Sequence, residues 1–157
     1  MKAAYINPFI ESTVSVFTRM LGCQVKRTGI DLHEHFTPKY DITGLIGLSG
    51  GATGDVVISF QKELALRATE ALTGEHFGDV TEDVIDTVGE LTNMIAGSAK
   101  TSLAQYEMQL ALPTVIVGTN HAIRFPSNVR PISVSFESDW GNFSIEVGLV
   151  EEVPAAV

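Results

Sequence analysis

Apolar positions recur at helical spacing in three stretches of the chain and alternate in the manner of strands in six. Asn7-Pro8 opens the first helix, since asparagine caps and proline suits the first helical position. Phe9, Thr13, Val16, Phe17 and Met20 then form its stripe, and Gly22 ends it. Residues 24–35, 40–49 and 55–60 read as strands from their alternation and β-branched content. A turn at residues 50–54, with glycines at 50, 51 and 54, joins the second to the third. Residues 62–73 predict a second helix with Leu64, Ala68, Ala71 and Leu72 inward, stopped by Gly74. A long third helix starts at Thr81 or Asp83 and runs to about residue 107. Strands follow at 114–117, 132–138 and 142–150, with residues 120–130 irregular and Asp139-Trp140-Gly141 as a turn.

The third helix carries the most informative pattern. At 100° per residue, Asp86, Glu90, Asn93, Gly97 and Lys100 fall within an arc of about 80°. Val84, Val88, Leu91, Ile95, Ala99, Ser102 and Tyr106 gather on the opposite side. One face is therefore made for burial, and the other presents a carboxylate and a carboxamide one turn apart. Gly89 and Gly97 each cost on the order of 1 kcal/mol relative to alanine within a helix. Gly97 lies on the polar face, where core packing gives no reason for it. Close approach of another molecule would.

The order helix, three strands, two helices, three strands reads as a diverged internal duplication. Glu11 in the first helix corresponds to Glu90, and Asn7 and Asp86 each lie four residues before those glutamates. Three residues after them the first helix has Val14 where the third has Asn93, so only the second copy keeps its full polar set. The predicted architecture is a single α+β domain over residues 1–157. It is an antiparallel sheet from two three-stranded halves, covered by long helices, with a fraying tail from about residue 151.

Length and composition limit the functions open to such a domain. With 157 residues, 45% hydrophobic and 18% charged, it can bury a substantial core. A net charge of −9 argues against nucleic acid and anionic membrane as partners. Neither a signal-peptide hydrophobic region nor a run of eighteen apolar residues is present. A single cysteine, Cys23, rules out an internal disulfide, and the expected compartment is the cytosol. Cys23 itself, without a neighbouring base, reads as a buried inert thiol.

Other candidate chemistry is weaker. His33 and His35 would share one face of a strand with Glu34 turned away, two ligands where structural zinc takes four. His76 and His121 read as surface or loop histidines, and the glycine-rich turn lacks the lysine of a phosphate-binding loop. Trp140 is either an interface anchor or turn packing.

Asp86, Glu90 and Asn93 resemble the aspartate-or-serine, glutamate, asparagine motif of the CheC/CheX/FliY phosphatases. The continuation Asn93-Met94-Ile95-Ala96-Gly97, Pro113 before a strand, and the closing hairpin from Ser133 to Gly148 are similar too. Val14 in the first copy makes the chain most like the single-motif CheX branch. The resemblance implies a CheC/CheX-like fold and an enzyme that dephosphorylates a phospho-aspartyl receiver domain of the CheY kind. It implies catalytic roles for Asn93, which would orient the attacking water, and Glu90, which would dock on the receiver's lysine. Asp86 and Gly97 would contact the partner. It implies no cofactor or metal in this chain, with Mg²⁺ supplied by the receiver, and a homodimer formed through edge strands. The alternatives are a non-catalytic receiver-binding module and a structural component of a flagellar switch assembly.

Overall fold

The structure, a computed structural model, describes residues 3–32 and 39–152. His33 and His35 lie outside the described residues. Three helices, α1 (Ala3–Leu21), α2 (Lys62–Thr73) and α3 (Glu82–Thr101), cover one face of an antiparallel sheet. Its strands are β1 (Val25–Leu32), β2 (Ile42–Ser49), β3 (Ala52–Phe60), β4 (Gln109–Leu110), β5 (Thr114–Val117), β6 (Ile132–Ser138) and β7 (Gly141–Glu151). They lie in the order β1-β6-β7-β3-β2-β4, with β5 also on the outer edge of β2.

That order records the duplication. Exchanging β1, β2 and β3 with β5, β6 and β7 maps the sheet onto itself, with the exchange axis between the central pair β3 and β7. β1 then stands to β6 as β5 stands to β2.

Alternation along the strands sorts the two faces of the sheet. Ile42, Ile46, Val56, Ile58, Phe60, Phe143, Ile145 and Val147 are buried in the core cluster shared with the helices. At one end of this layer Phe143 stacks on Phe17 of α1 at 4.5 Å between ring centroids and on Phe136 at 4.9 Å. Such ring pairs add to the stabilisation from area buried. Tyr5 and Tyr106 meet edge to face and both bond the Glu151 carboxylate, which ties α1 to the last strand.

The opposite face is polar and covered by the segment 118–131. A side chain at Gly148 would strike Val129 and Phe125, at 2.6 and 2.7 Å, so the segment lies on the strand itself. Lys39 forms an ion pair with Glu146, both nearly fully buried. Burial pushes the pKa of the Lys39 ammonium down to about 8. His121 donates from Nδ1 to the Gly118 carbonyl at 2.7 Å and meets Thr43 Oγ1 through Nε2 at 2.7 Å. Thr43 in turn lies 2.9 Å from Ser59 Oγ. His121 lies in a loop, one of the two places the sequence allows it, but is not isolated: it bridges the covering segment and the sheet.

Several boundaries differ from those predicted. The first helix begins at Ala3, so Asn7 does not cap it and Pro8 lies inside it. Tyr5 and Ile6 are core residues, and their burial extends the helix upstream past the backbone bond that proline lacks. Ala71 and Leu72 are exposed, while Leu64, Ala65, Leu66, Ala68 and Thr69 are the buried set of α2. The third helix ends at Thr101 and is followed by a 3₁₀ turn at Ala104–Tyr106, so Ser102 and Tyr106 leave its apolar face. The β2–β3 turn is only Gly50 and Gly51, tucked under residues 106–108 so closely that a Cβ on Gly50 would sit 2.6 Å from the Glu107 carbonyl. Glu151 pairs with Ala52 and Glu152 donates to the Gly51 carbonyl, so the strand holds the start of the predicted tail.

The third helix is seated on the sheet by one close contact. A Cβ on Gly44 of β2 would fall inside the Thr92 side chain. Thr92 is itself fully buried and bonds back to the Val88 carbonyl at 2.7 Å. Only glycine lets the helix lie this near the strand. Gly44→Ala should therefore cost about 1–3 kcal/mol by overpacking. Thr92→Ala in the same chain should recover part of it, measured by urea unfolding of both single mutants and the double mutant. Additive losses would contradict the contact.

Candidate functional site

Thr81 adopts the extended conformation of an N-cap, and Glu82 and Asp83 place negative charge in the first turn of α3, where the helix dipole favours it. Val84, Val88, Leu91, Ile95 and Ala99 are buried and carry the helix onto the sheet. The opposite arc is left toward solvent as its spacing predicts. Asp86 and Glu90 are exposed, and Asn93 and Gly97 are half-buried. Along the axis Glu90 and Asn93 are separated by about 4.5 Å, and Asp86 stands about 6 Å before Glu90. The Asn93 amide offers both an acceptor and a donor, and Glu90 offers only acceptors. An acid and an amide one turn apart can therefore bind a cation and position a water side by side.

The first helix does not repeat this arrangement. Glu11 and Val14 are both exposed, and Val14 has no hydrogen-bonding atom with which to hold a water. Among the described residues no three His, Cys, Asp or Glu side chains gather as a metal ion would require.

The two glycines of α3 acquire an address that periodicity alone does not supply. Gly89, Asn93 and Gly97 follow at intervals of four and form one row on the helix surface. A Cβ on Gly89 would lie 3.8 Å from Pro113 Cγ and 3.6 Å from Val115 Cγ2. One on Gly97 would lie 3.6 Å from Leu110 Cδ1. The row is turned toward β4, β5 and the link between them. Gly97 is therefore flanked by the chain's own Leu110, which a sequence wheel cannot reveal. The distance is ordinary van der Waals contact, so Leu110 does not itself demand a glycine.

The remaining candidates resolve as structural groups. Cys23 is buried and burial raises its thiol pKa, opposed by a hydrogen bond with Ser138. Its amide donates to the Phe17 carbonyl where Gly22, at φ +64°, turns the chain out of α1. Trp140 packs against the core with the Arg67 guanidinium 5.6 Å over its ring, a cation–π contact within the turn region. His76 is exposed, with Nδ1 3.5 Å from Glu70.

An antiparallel sheet in this order, covered on one face by helices, is a fold that solved proteins share. Residues 42–137 match the family model described as Chemotaxis phosphatase CheX, and the chain belongs to that family. It is 28% identical over 145 residues to the CheY-P phosphatase CheX of Thermotoga maritima, covering 89% of this chain and 94% of that one. A CheC-like superfamily protein from Shewanella sp. PV-4 superposes with a TM-score of 0.89 at 35% identity, over 96% of this chain and 99% of that one. CheX in a CheX–CheY–BeF₃–Mg²⁺ complex from Borrelia burgdorferi superposes at 0.80 with 25% identity, over 94% and 98%. No helix among the described residues is long and apolar enough to cross a membrane.

Gly97→Ala separates packing from function at this site. The new methyl meets Leu110 at ordinary distance and removes a helix-weakening glycine, so stability should hold or rise by up to about 1 kcal/mol. Thermal unfolding reads this directly. A Tm lowered by several degrees would show instead that the chain closes over this face.

Proposed function

We propose that the protein is a phosphatase acting on the phospho-aspartyl group of a CheY-like receiver domain. The observation that carries the reading is the polar arc of α3, where Asn93 follows Glu90 by about one turn, with Glu90 exposed and Asn93 half-buried. Membership of the CheX family, a relative named CheY-P phosphatase and a relative seen with CheY support the substrate class.

An aspartyl phosphate is a mixed anhydride, and the receiver supplies Mg²⁺ and a lysine around it. The phosphatase need only deliver a water in line with the bond that breaks. The Asn93 oxygen accepts a hydrogen from that water and its NH₂ donates to a phosphoryl oxygen. The water oxygen bonds to phosphorus and the bond to the aspartate oxygen breaks. The aspartate leaves as carboxylate, and both protons of the water leave with inorganic phosphate as H₂PO₄⁻. Glu90 pairs with the receiver's lysine and holds the helix in register. Asp86 adds negative charge on the same approach. Gly97 keeps the surface beyond Asn93 low enough for the partner's backbone. This chain contributes no cofactor, and the Mg²⁺ belongs to the receiver.

Mixing the protein at substoichiometric amounts with a phosphorylated CheY-like receiver from the same genome tests the reading. Catalytic loss of acyl phosphate is expected, and stoichiometric protection without turnover would indicate a binding module. Asn93→Ala should lower turnover by on the order of 10²–10³-fold with the fold intact, since no core cavity forms. Glu90→Ala should raise KM as well as slow turnover, because it leaves a lysine unpaired in the interface. Wild-type kinetics in both mutants would remove these assignments.

The protein is also proposed to pair as a two-fold homodimer. Among the described strands β1 ends the sheet with one edge unpaired, and Ile30 and Leu32 along it are 48% and 68% exposed. An open edge with apolar side chains favours addition of another strand, and a two-fold axis closes the association at two chains. Sedimentation should report about 34 kDa, twice the 16.9 kDa chain. A single species of one chain mass at micromolar concentration would reject it.

A further inference from the structure

The outer edge of β2 is shared by two short strands. Gln109 and Leu110 pair at Ser49 and Leu48, and Thr114–Val117 pairs from Leu45 to Ile42. Between them the Ala111 amide still donates to the Gly47 carbonyl at 2.9 Å. Pro113 has no N–H to give, and the ladder breaks there. Leu112 stands at this break and is 89% exposed, more than any other large hydrophobic residue described.

The break lies beside the catalytic row. Leu110 abuts Gly97 and Pro113 abuts Gly89, so residues 110–113 run along α3 past Asn93, which lies midway between the two glycines. Asn93 is half-buried, and Leu112, on the segment that runs beside it, is nearly fully exposed. The acidic side of the same approach carries Glu90 and Asp86. A carboxylate gains most from a lysine when water is excluded around the pair, and an apolar rim provides that exclusion.

We propose that Leu112, held between Leu110 and Pro113, is the apolar docking residue that packs on the receiver domain beside its phosphorylation site. The inference rests on the phosphatase reading and adds to it a residue outside the helix motif. The partner surface it fits is an apolar patch next to a lysine. Leu112 touches no reacting atom, so it acts on affinity and not on the chemical step.

Steady-state turnover of a receiver phosphorylated by a small acyl phosphate tests it. Leu112→Ser should raise KM by on the order of 10-fold with kcat at saturating receiver unchanged. Leu112→Met should restore KM. Leu72→Ser, at an exposed leucine on α2, should leave KM as in wild type. An unchanged KM in Leu112→Ser overturns the proposal. So does a lowered kcat at unchanged KM, which would make Leu112 a support for Asn93. A shift from dimer to monomer in sedimentation without a change in KM also overturns it and assigns the leucine to a second copy. If wild type shows no turnover, the phosphatase reading fails. Fluorescence anisotropy of the labelled, phosphorylated receiver then still judges the docking residue. Weaker binding by Leu112→Ser supports it, and equal binding or none at all by both proteins rejects it.

Discussion

The contact between Gly44 and Thr92 governs the geometry of the site. A helix that turns polar groups outward keeps their relative positions only when it is held rigidly from behind. Thr92 precedes Asn93 by one residue and is buried against the strand at a point where no side chain fits. The backbone that carries Asn93 is therefore fixed by direct packing on the sheet. Everything else in the helical layer follows from this seat. Val88 and Ile95 fill the core on either side of Thr92, and the Gly89, Asn93 and Gly97 row is left turned toward the sheet's edge.

The duplication gives two equivalent helices, and of these α3 alone carries both an acid and an amide one turn apart. The sheet order maps onto itself under exchange of the halves, so α1 and α3 began as equivalent positions. α3 keeps the acid and the amide. α1 has Glu11, but Val14 stands where α3 has the amide, and α1 contributes Phe9 and Phe17 to the core. One helix is specialised for packing and the other for presentation. The back of the sheet shows the same asymmetry. Its Lys39–Glu146 pair and the His121, Thr43 and Ser59 contacts hold residues 118–131 in place, away from the motif. A buried pair of this kind breaks at high cost when one partner is lost, which restricts the segment to one arrangement.

The helix motif, the sheet halves and most strand limits are properties of local pattern. The α2 helix, its Gly74 stop at φ 78°, and the strands Thr114–Val117 and Ile132–Ser138 match the residues their periodicity predicts. This succeeds because alternation and 3.6-residue spacing are consequences of one-sided burial, and burial leaves its mark on every residue of an element. It fails at the ends. The start of α1 at Ala3 depends on Tyr5 meeting Tyr106, a contact across 101 residues. The end of α3 at Thr101 depends on Leu103 and Met108 turning into the core.

The polar face of α3 was legible in the same way. Asp86, Glu90 and Asn93 needed only the helical repeat and a recognisable spacing to stand together. What surrounds them was not. No local rule connects Gly44 with Thr92, or Leu110 and Pro113 with the two helix glycines, since each pair is joined by the path of the chain through the sheet. Sequence by itself determined which groups the helix offers, because the offer is a matter of angular position. Tertiary structure alone decided how closely that helix lies on the sheet, and what stands beside it, because those depend on residues far apart meeting in space.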